Sequence, residues 1–368
     1  MSTFKVQLDR IDLSTGPRDT LAALVKLLAP HVPYSLHILG TLLNTGPRGS
    51  TLPNVDASKV TLWSTTPLHT DSISNIPALF SIVTFSHLDH HFRFFCSGES
   101  RTSDPPTEAE ETHVKQVFER LRDIADEARP TYDSILTVLT GSGWPRPRID
   151  TDPPMIVMWA VHAKWVHVLA PMSTFQHPGL RYVFPSGAFA HDGLPLGVNR
   201  RTTLRVGDDS EVEVEVSQIR ASDLSFVRGA STVPRSEAYI LSRVPYSVCL
   251  RSRGEVGTDD LEGEPVACAL MHSDGSIGAL RVDSRHQRRG LGKMVMRALT
   301  EKLDFSKRQG GLQLASDGYQ DLGGGALGWN WTDTEMHNEA GNRLFTSLGG
   351  KESGWTGHWT YMLVNPNR

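Results

Sequence analysis

The segment from Ile277 to Leu303 constrains this chain more than any other. An apolar run, Ile277 to Val282, leads into Asp283-Ser284-Arg285-His286-Gln287-Arg288-Arg289-Gly290-Leu291-Gly292-Lys293. Leu291, Met294, Val295, Ala298, Leu299 and Leu303 then recur at the three- and four-residue steps of a buried helical face. The order is strand, glycine loop, helix. Free amides at a helix N-terminus, the positive end of the helix dipole behind them, and glycines that allow close approach suit a phosphate or pyrophosphate. Arg288, Arg289 and Lys293 add positive charge. A solvated basic turn before an amphipathic helix would use the same residues.

Two familiar phosphate loops do not fit. A Walker A loop needs glycine five residues before Gly292 and Ser or Thr after Lys293, where the chain has Gln287 and Met294. The dinucleotide fingerprint needs a third glycine where Val295 stands. What remains is Gln-x-x-Gly-x-Gly at Gln287 to Gly292, and in it the chain resembles the pyrophosphate loop of the GNAT acyl-CoA N-acyltransferases. Downstream, Asn338-Glu339-Ala340-Gly341-Asn342-Arg343-Leu344-Phe345-Thr346-Ser347-Leu348-Gly349 is similar to that superfamily's Asn-x-x-Ala-x-x-Leu-Tyr-x-x-x-Gly signature. Ala340, Leu344, Phe345 and Leu348 share a helical face, and Gly349-Gly350 supplies a helix stop. From Ser247 to Gly292, including Cys249-Leu250, Gly263-Glu264-Pro265-Val266, Leu270-Met271 and Asp274-Gly275, the chain resembles the glycine N-acyltransferase branch and its FR47-like relatives.

The resemblance implies an α/β (α+β) protein of two domains. Residues 206–368 would form a GNAT fold with a mixed, splayed central sheet, and residues 1–205 a degenerate GNAT-like α/β domain, a kinship echoed at Ser35 to Asn44. It implies an acyl-CoA-dependent N-acyltransferase moving an acetyl or other acyl group to the amine of a small molecule or amino acid. The alternative is a CoA-binding interaction or regulatory protein with weak or no activity. The implied co-substrate is acetyl-CoA or another acyl-CoA, with no metal. Its implied contacts are main-chain groups of Leu280, Arg281 and Val282, the loop Gln287, Arg288, Arg289, Gly290, Leu291, Gly292 and Lys293, and Asn338 and Phe345. The pantetheine arm would enter between the glycine-loop strand and a following strand, expected at Leu312 to Ser316.

The chain departs from the branch at two chemical positions. Ser276 stands where a catalytic glutamate follows the turn glycine, and Phe345 stands where a tyrosine acts as acid. Asp274 is the nearest carboxylate, so Asp274 and Ser276 are the candidate catalytic pair. Asp274 also suits the turn Ser273-Asp274-Gly275-Ser276 simply as a turn residue. His272, Asp317, Glu335 and His337 are candidates for a relocated base. Asp317 to Glu335, rich in Gly and aromatic residues, reads as an acceptor-side lid or an uninvolved surface insertion.

Elsewhere the sequence gives organisation rather than chemistry. Glu211 to Val216 alternates as a strand wet on one face, and Ser222-Asp223 and Pro234-Arg235-Ser236-Glu237 suit helix starts. Ser247 to Leu250, Pro265 to Met271 and Ile277 to Val282 read as a three-stranded meander. Glu111 to Ala128 reads as an amphipathic helix, Ser35 to Leu43 and Leu79 to Phe85 as strands, and Ser97 to Glu111 and Gly141 to Pro154 as loops. His87, His90 and His91 read as a strand with exposed histidines, or as metal ligands lacking a completing carboxylate or cysteine. The net charge of -4 over 368 residues gives no field to draw in nucleic acid. No apolar stretch is long enough to span a bilayer. Three scattered cysteines and an N-terminus without a signal-like core fit a reduced, cytoplasmic setting.

Overall fold

The computed structural model describes residues 6–14, 17–44, 58–68, 76–89, 91–101, 105–124, 155–185, 188–189, 201–206, 210–230, 235–252, 263–304, 312–313, 320–321 and 323–363. Its elements, in chain order, are β1 (Asp9–Ile11), α1 (Pro17–Leu28), α2 (Leu36–Leu43), β2 (Val60–Ser64), β3 (Ser81–Ser86), β4 (His91–Cys96), α3 (Glu108–Ile124), β5 (Met155–His162), α4 (Val166–Leu169) and β6 (Ser173–Phe184). The second half continues with β7 (Arg201–Val206), β8 (Ser210–Ser217), α5 (Leu224–Arg228), α6 (Glu237–Arg243), β9 (Ser247–Ser252), β10 (Glu264–Met271), β11 (Ile277–Val282), α7 (Leu291–Leu303), β12 (Leu312–Gln313), β13 (Gln320–Asp321), β14 (Asn330–Glu335), α8 (Glu339–Ser347) and β15 (Lys351–Leu363). Several short 3-10 turns connect them.

Two main sheets carry the molecule. The larger has eight strands in the order β1-β2-β3-β4-β5-β15-β6-β14, and the smaller has five, β11-β10-β9-β8-β7. Strands from the two ends of the chain interleave: β15 lies between β5 and β6, and β6 lies between β15 and β14. The meander β9-β10-β11 forms as its three apolar runs require, because each run is long enough to pair and too short for a stable helix. Behind it, α7 buries Leu291, Val295, Ala298, Leu299 and Leu303 against β-strand residues such as Val248, Leu250 and Val266. At about 1.5–3 kcal/mol for each fully buried aliphatic side chain, that face fixes the helix, and so its N-terminus, against β11.

Helix α3 runs over Glu108–Ile124 and buries Val114, Val117, Phe118, Leu121 and Ile124. It starts earlier than its apolar face because Thr107 and Glu110 form a capping box, Thr107 N donating to Glu110 Oε2 (2.9 Å) and Glu110 N to Thr107 Oγ1 (3.3 Å). Residues 125–128 of the expected helix and the expected loop 141–154 lie outside the described residues.

Three expectations are corrected. Ser35 to Leu43 is not a strand; Leu36–Leu43 is α2. Leu36, Ile38, Leu39 and Leu42 are all fully buried, so the helix has no wet face to give it a helical period, and a short apolar run cannot reveal its type alone. Gly40 lets it approach the β10–β11 turn, since a Cβ there would lie 1.7 Å from the Asp274 carbonyl oxygen. His91, expected to be exposed, is buried at the start of β4, and no group of His, Cys, Asp and Glu among the described residues could hold a metal. His90 lies outside the described residues. Finally, the strand that neighbours β11 across the gap is β14, not Leu312 to Ser316; only Leu312–Gln313 of that stretch is described, paired with Gln320–Asp321.

Candidate active site

The two sheets part between β11 and β14. Each is the last strand of its own sheet, and no ladder joins them. At one end Thr332 Oγ1 donates to the Ile277 carbonyl (2.8 Å), tying the two strands together. Beyond that tie the strands enclose a cleft of about 1410 Å³, lined on one wall by Gly278 to Val282, on the other by Thr332 to Glu335, and at its mouth by Gln287, Arg288 and Gly290 to Lys293.

The mouth is a nest of main-chain donors. Gly290 caps α7 in the left-handed conformation (φ 80°), and Arg288, two residues earlier, is also left-handed (φ 63°). The first bond of the helix runs from Met294 N to the Gly290 carbonyl (3.1 Å). Among the described residues, none of the amides from Gln287 to Lys293 has an acceptor in the protein. Alternating left-handed residues turn successive N–H groups to one side, where they hold an anion. Gly290 has nothing within 4 Å of where a Cβ would stand, whereas a Cβ on Gly292 would meet Leu344 of α8 at 3.1 Å. Gly290 thus faces open space and Gly292 makes room for helix packing. Arg285 is drawn aside by Asp283 (3.0 Å) and Glu264 (3.3 Å), leaving Arg288 and Lys293 as the cations at the mouth without a protein partner among the described residues.

Strand β11 carries a bulge that spacing did not reveal. Cys268 pairs with Arg281 and Leu270 with Gly278, so Ala279 and Leu280 together oppose one residue of β10, and Ala279 takes a φ of 48°. A bulge re-aims main-chain groups away from the regular ladder. Here it lies in the cleft wall.

The expected chemical residues separate. Asp274 is buried, accepts from Ser276 N (3.0 Å) and Oγ (2.7 Å) on one oxygen and from Arg93 Nε (3.4 Å) on the other, and does not line the cleft. Burial, the largest influence, would raise its pKa, but the Arg93 charge, together with His272 and the Ser276 hydrogen bond, outweighs it and holds the group at about 2. With both oxygens committed it is a poor base, and its work is to hold the turn. Ser276 does line the cleft. Arg281 contributes backbone only, because its guanidinium donates to the Phe226 carbonyl (2.6 Å) and covers that ring. Asn338 lines the cleft while capping α8 through Gly341 N (2.9 Å), and Phe345 is buried against Tyr182.

His272 is different. Its ring lies against Gly278 of β11, where a Cβ would stand 2.2 Å from Nε2, and its Nδ1 meets the Tyr239 hydroxyl at 3.0 Å. Tyr239 Oη is itself fixed by accepting from Ser273 N (3.2 Å). Burial, then the Arg235 charge, lowers the His272 pKa to about 3, so the ring is neutral at physiological pH. Glu335 and His337 also line the cleft, on the β14 side, and Asp317 lies outside the described residues. Sequence reasoning missed Trp159, His177 and Arg235, which also line the cleft, from distant parts of the chain. No local spacing could have announced them.

The segment read as a lid is corrected. Its described part is β13, then from Gly323 to Glu335 buried turns followed by β14, and Ala326 and Trp331 belong to the core beneath α1 and α2. Only Thr332 to Glu335 reach the cleft.

A parted strand pair, a bulged wall and a nest at the helix start meet here in one place, and residues 257–312 match the family described as FR47-like protein. That segment spans β10, β11 and α7, which carry the bulged wall and the nest. An X-ray structure of a Drosophila protein shares the overall fold, at 13% identity over 97% of this chain and 99% of that one, with a TM-score of 0.52. A tandem GNAT protein from the clavulanic acid biosynthesis pathway is similar at 10% identity over 98% of this chain and 100% of that one, with a TM-score of 0.47. No curated protein matches the sequence.

Proposed function

We propose that the protein is an acyl-CoA-dependent N-acyltransferase acting on a small amine. The observation that carries this is the run of amides from Gln287 to Lys293 that find no acceptor among the described residues, at the mouth of a cleft between two strands not paired with each other. A diphosphate is the group best suited to such a nest, with Arg288 and Lys293 matching its charge. The exposed strand edges beyond would pair with an amide-bearing arm, as edge strands do. When bound, the acyl-CoA supplies an activated thioester, which this chain's residues orient and shield.

The amine nitrogen would attack the thioester carbonyl carbon, the C–S bond would break, and coenzyme A would leave as a thiolate. A main-chain N–H of the bulged Ala279–Leu280 stretch would steady the carbonyl oxygen. His272, neutral and beside Gly278, would take the proton that the amine loses, directly or through water, and that proton would end on the thiolate. Residues 206–368 carry this chemistry in our reading, and residues 1–205 shape the acceptor side through Trp159 and His177.

Thiol release from acetyl-CoA across a panel of primary amines tests the proposal. Turnover is expected with at least one amine, and His272→Ala should lower kcat by about 100-fold with CoA affinity unchanged. Tight CoA binding without thiol release under any amine would replace it with the CoA-binding regulatory reading.

A further inference from the structure

Arg235 lines the same cleft as the amide nest. Its guanidinium is clamped between aromatic faces, 5.3 Å from the Trp159 ring centre and 5.2 Å from that of Tyr239. Its Nε is buried without a hydrogen-bond partner, and among the described residues no carboxylate sits within ion-pair distance of it. Among the described residues its one polar contact is NH1 to His91 Nδ1 at 3.5 Å, a nitrogen that also faces Asp89 Oδ1 at 3.5 Å. The neighbouring carboxylates are committed elsewhere: Asp89 to Arg93 and Ser273, and Asp274 to Arg93 and Ser276.

An incompletely solvated cation without a counter-ion is costly, and stacking on rings keeps the planar fork oriented without satisfying its donors. The same ring that carries Arg235 also meets His272, since Tyr239 stacks near it (centroids 6.0 Å) and bonds its Nδ1. The cation and the base therefore meet the same tyrosine, and both line the cleft.

We propose that Arg235 anchors a carboxylate of the acceptor, so that the amine accepted is one bearing an acid group a few bonds from its nitrogen. The inference rests on the acyl-transfer reading and narrows it to a substrate class. The guanidinium fork takes the carboxylate, Trp159 and Tyr239 cover the fork, and the amine is left to face His272 and the bulged strand. A bound carboxylate would also offset the charge that opposes a proton on His272, making proton uptake easier when the correct acceptor is in place.

The test is calorimetric titration of the CoA-loaded protein with N-acetylglycine, N-acetylphenylalanine and N-acetylglutamate, each against its primary amide (for N-acetylglutamate, the α-amide). At least one acid should bind about 10- to 100-fold more tightly than its amide, the range expected for charge-assisted hydrogen bonds. Arg235→Gln should erase that difference while leaving CoA affinity unchanged. Equal affinities, absence of binding in both series, or a preference that survives in Arg235→Gln would overturn the proposal. The wild-type comparison needs no variant, so a misfolded Arg235→Gln would not shelter it. CoA affinity is read first in the same cell, and the acids are then repeated without CoA. Failure of CoA to bind would sink the acyl-transfer reading, whereas a carboxylate preference persisting there would leave Arg235 standing.

Discussion

Two of the chain's passages from strand through loop to helix, from β4 to α3 and from β11 to α7, have opposite chemistry. After β4, Glu99 folds back so that its Oε1 accepts from Cys96 N (3.0 Å) and Trp165 Nε1 (3.1 Å), and Lys164 Nζ donates to the Gly98 carbonyl (2.9 Å). Helix α3 opens with Glu108, Glu110 and Glu111, and β4 pairs with β5, Phe92 opposite Met158 and Arg93 opposite Trp159. The polar groups at the start of this loop are met by Glu99, Lys164 and Trp165, and the strand beside it is already paired. After β11 the loop is basic, its amides from Gln287 to Gly290 find no acceptor among the described residues, and the neighbouring strand stands apart. The same local order therefore does not make a ligand site. What makes one is donors and a strand edge that the protein does not satisfy itself.

Substitutions can break this contrast. Glu99→Ala should cost about 3 kcal/mol of stability, because it strands two buried donors, with CoA affinity in the folded fraction unchanged. Chemical denaturation and calorimetry read the two effects separately. Gly290→Val should do the converse: a β-branched residue at φ 80° distorts the nest, weakening CoA by about 100-fold while the fold persists, since no protein atom lies near that Cβ.

Acid sharpens the comparison in a different way, through one buried neutral histidine in each half. Burial and then Arg181 lower His37 to about 3, and His272 is lowered as far by burial and Arg235. His37 Nε2 donates to the Phe94 carbonyl (2.8 Å), leaving Nδ1 to accept from Arg181 (3.2 Å). Because both folded values lie below the ordinary 6.5, the unfolded chain takes up protons first. Their contribution is complete above pH 6.5 and is lost as pH falls toward 3, costing about 2 kcal/mol for each by pH 5. Denaturation midpoints at pH 7 and pH 5 measure this, and a flat profile would contradict it. The smallest expected effect is that of Arg288→Ser, about 10-fold in CoA affinity, fading as salt rises.

The sequence made some of this legible and hid the rest for physical reasons. The glycine loop, α7, α8 and the meander are local patterns, and each can be read from spacing alone. Strand β14, Asn330–Glu335, reads as polar loop because its partner lies far away: Asp333 is held by Arg181 of β6 at 2.7 Å, which makes a carboxylate acceptable in a strand. Asp274 looked available for chemistry until Arg93, distant in sequence, arrived as its partner. The Arg235 clamp is assembled from β5 and α6, and its position in the chain looked only like a helix start. Residues whose roles depend on contacts across the two halves are the ones that periodicity could not assign.

The most direct measurement is amide hydrogen exchange with and without coenzyme A. The account predicts that Gln287 to Lys293 exchange rapidly in the free protein and become protected on CoA addition, while Ser97 to Arg101 do not respond. Protection of Gln287 to Lys293 in the free protein, or no change there at saturating CoA, would contradict it.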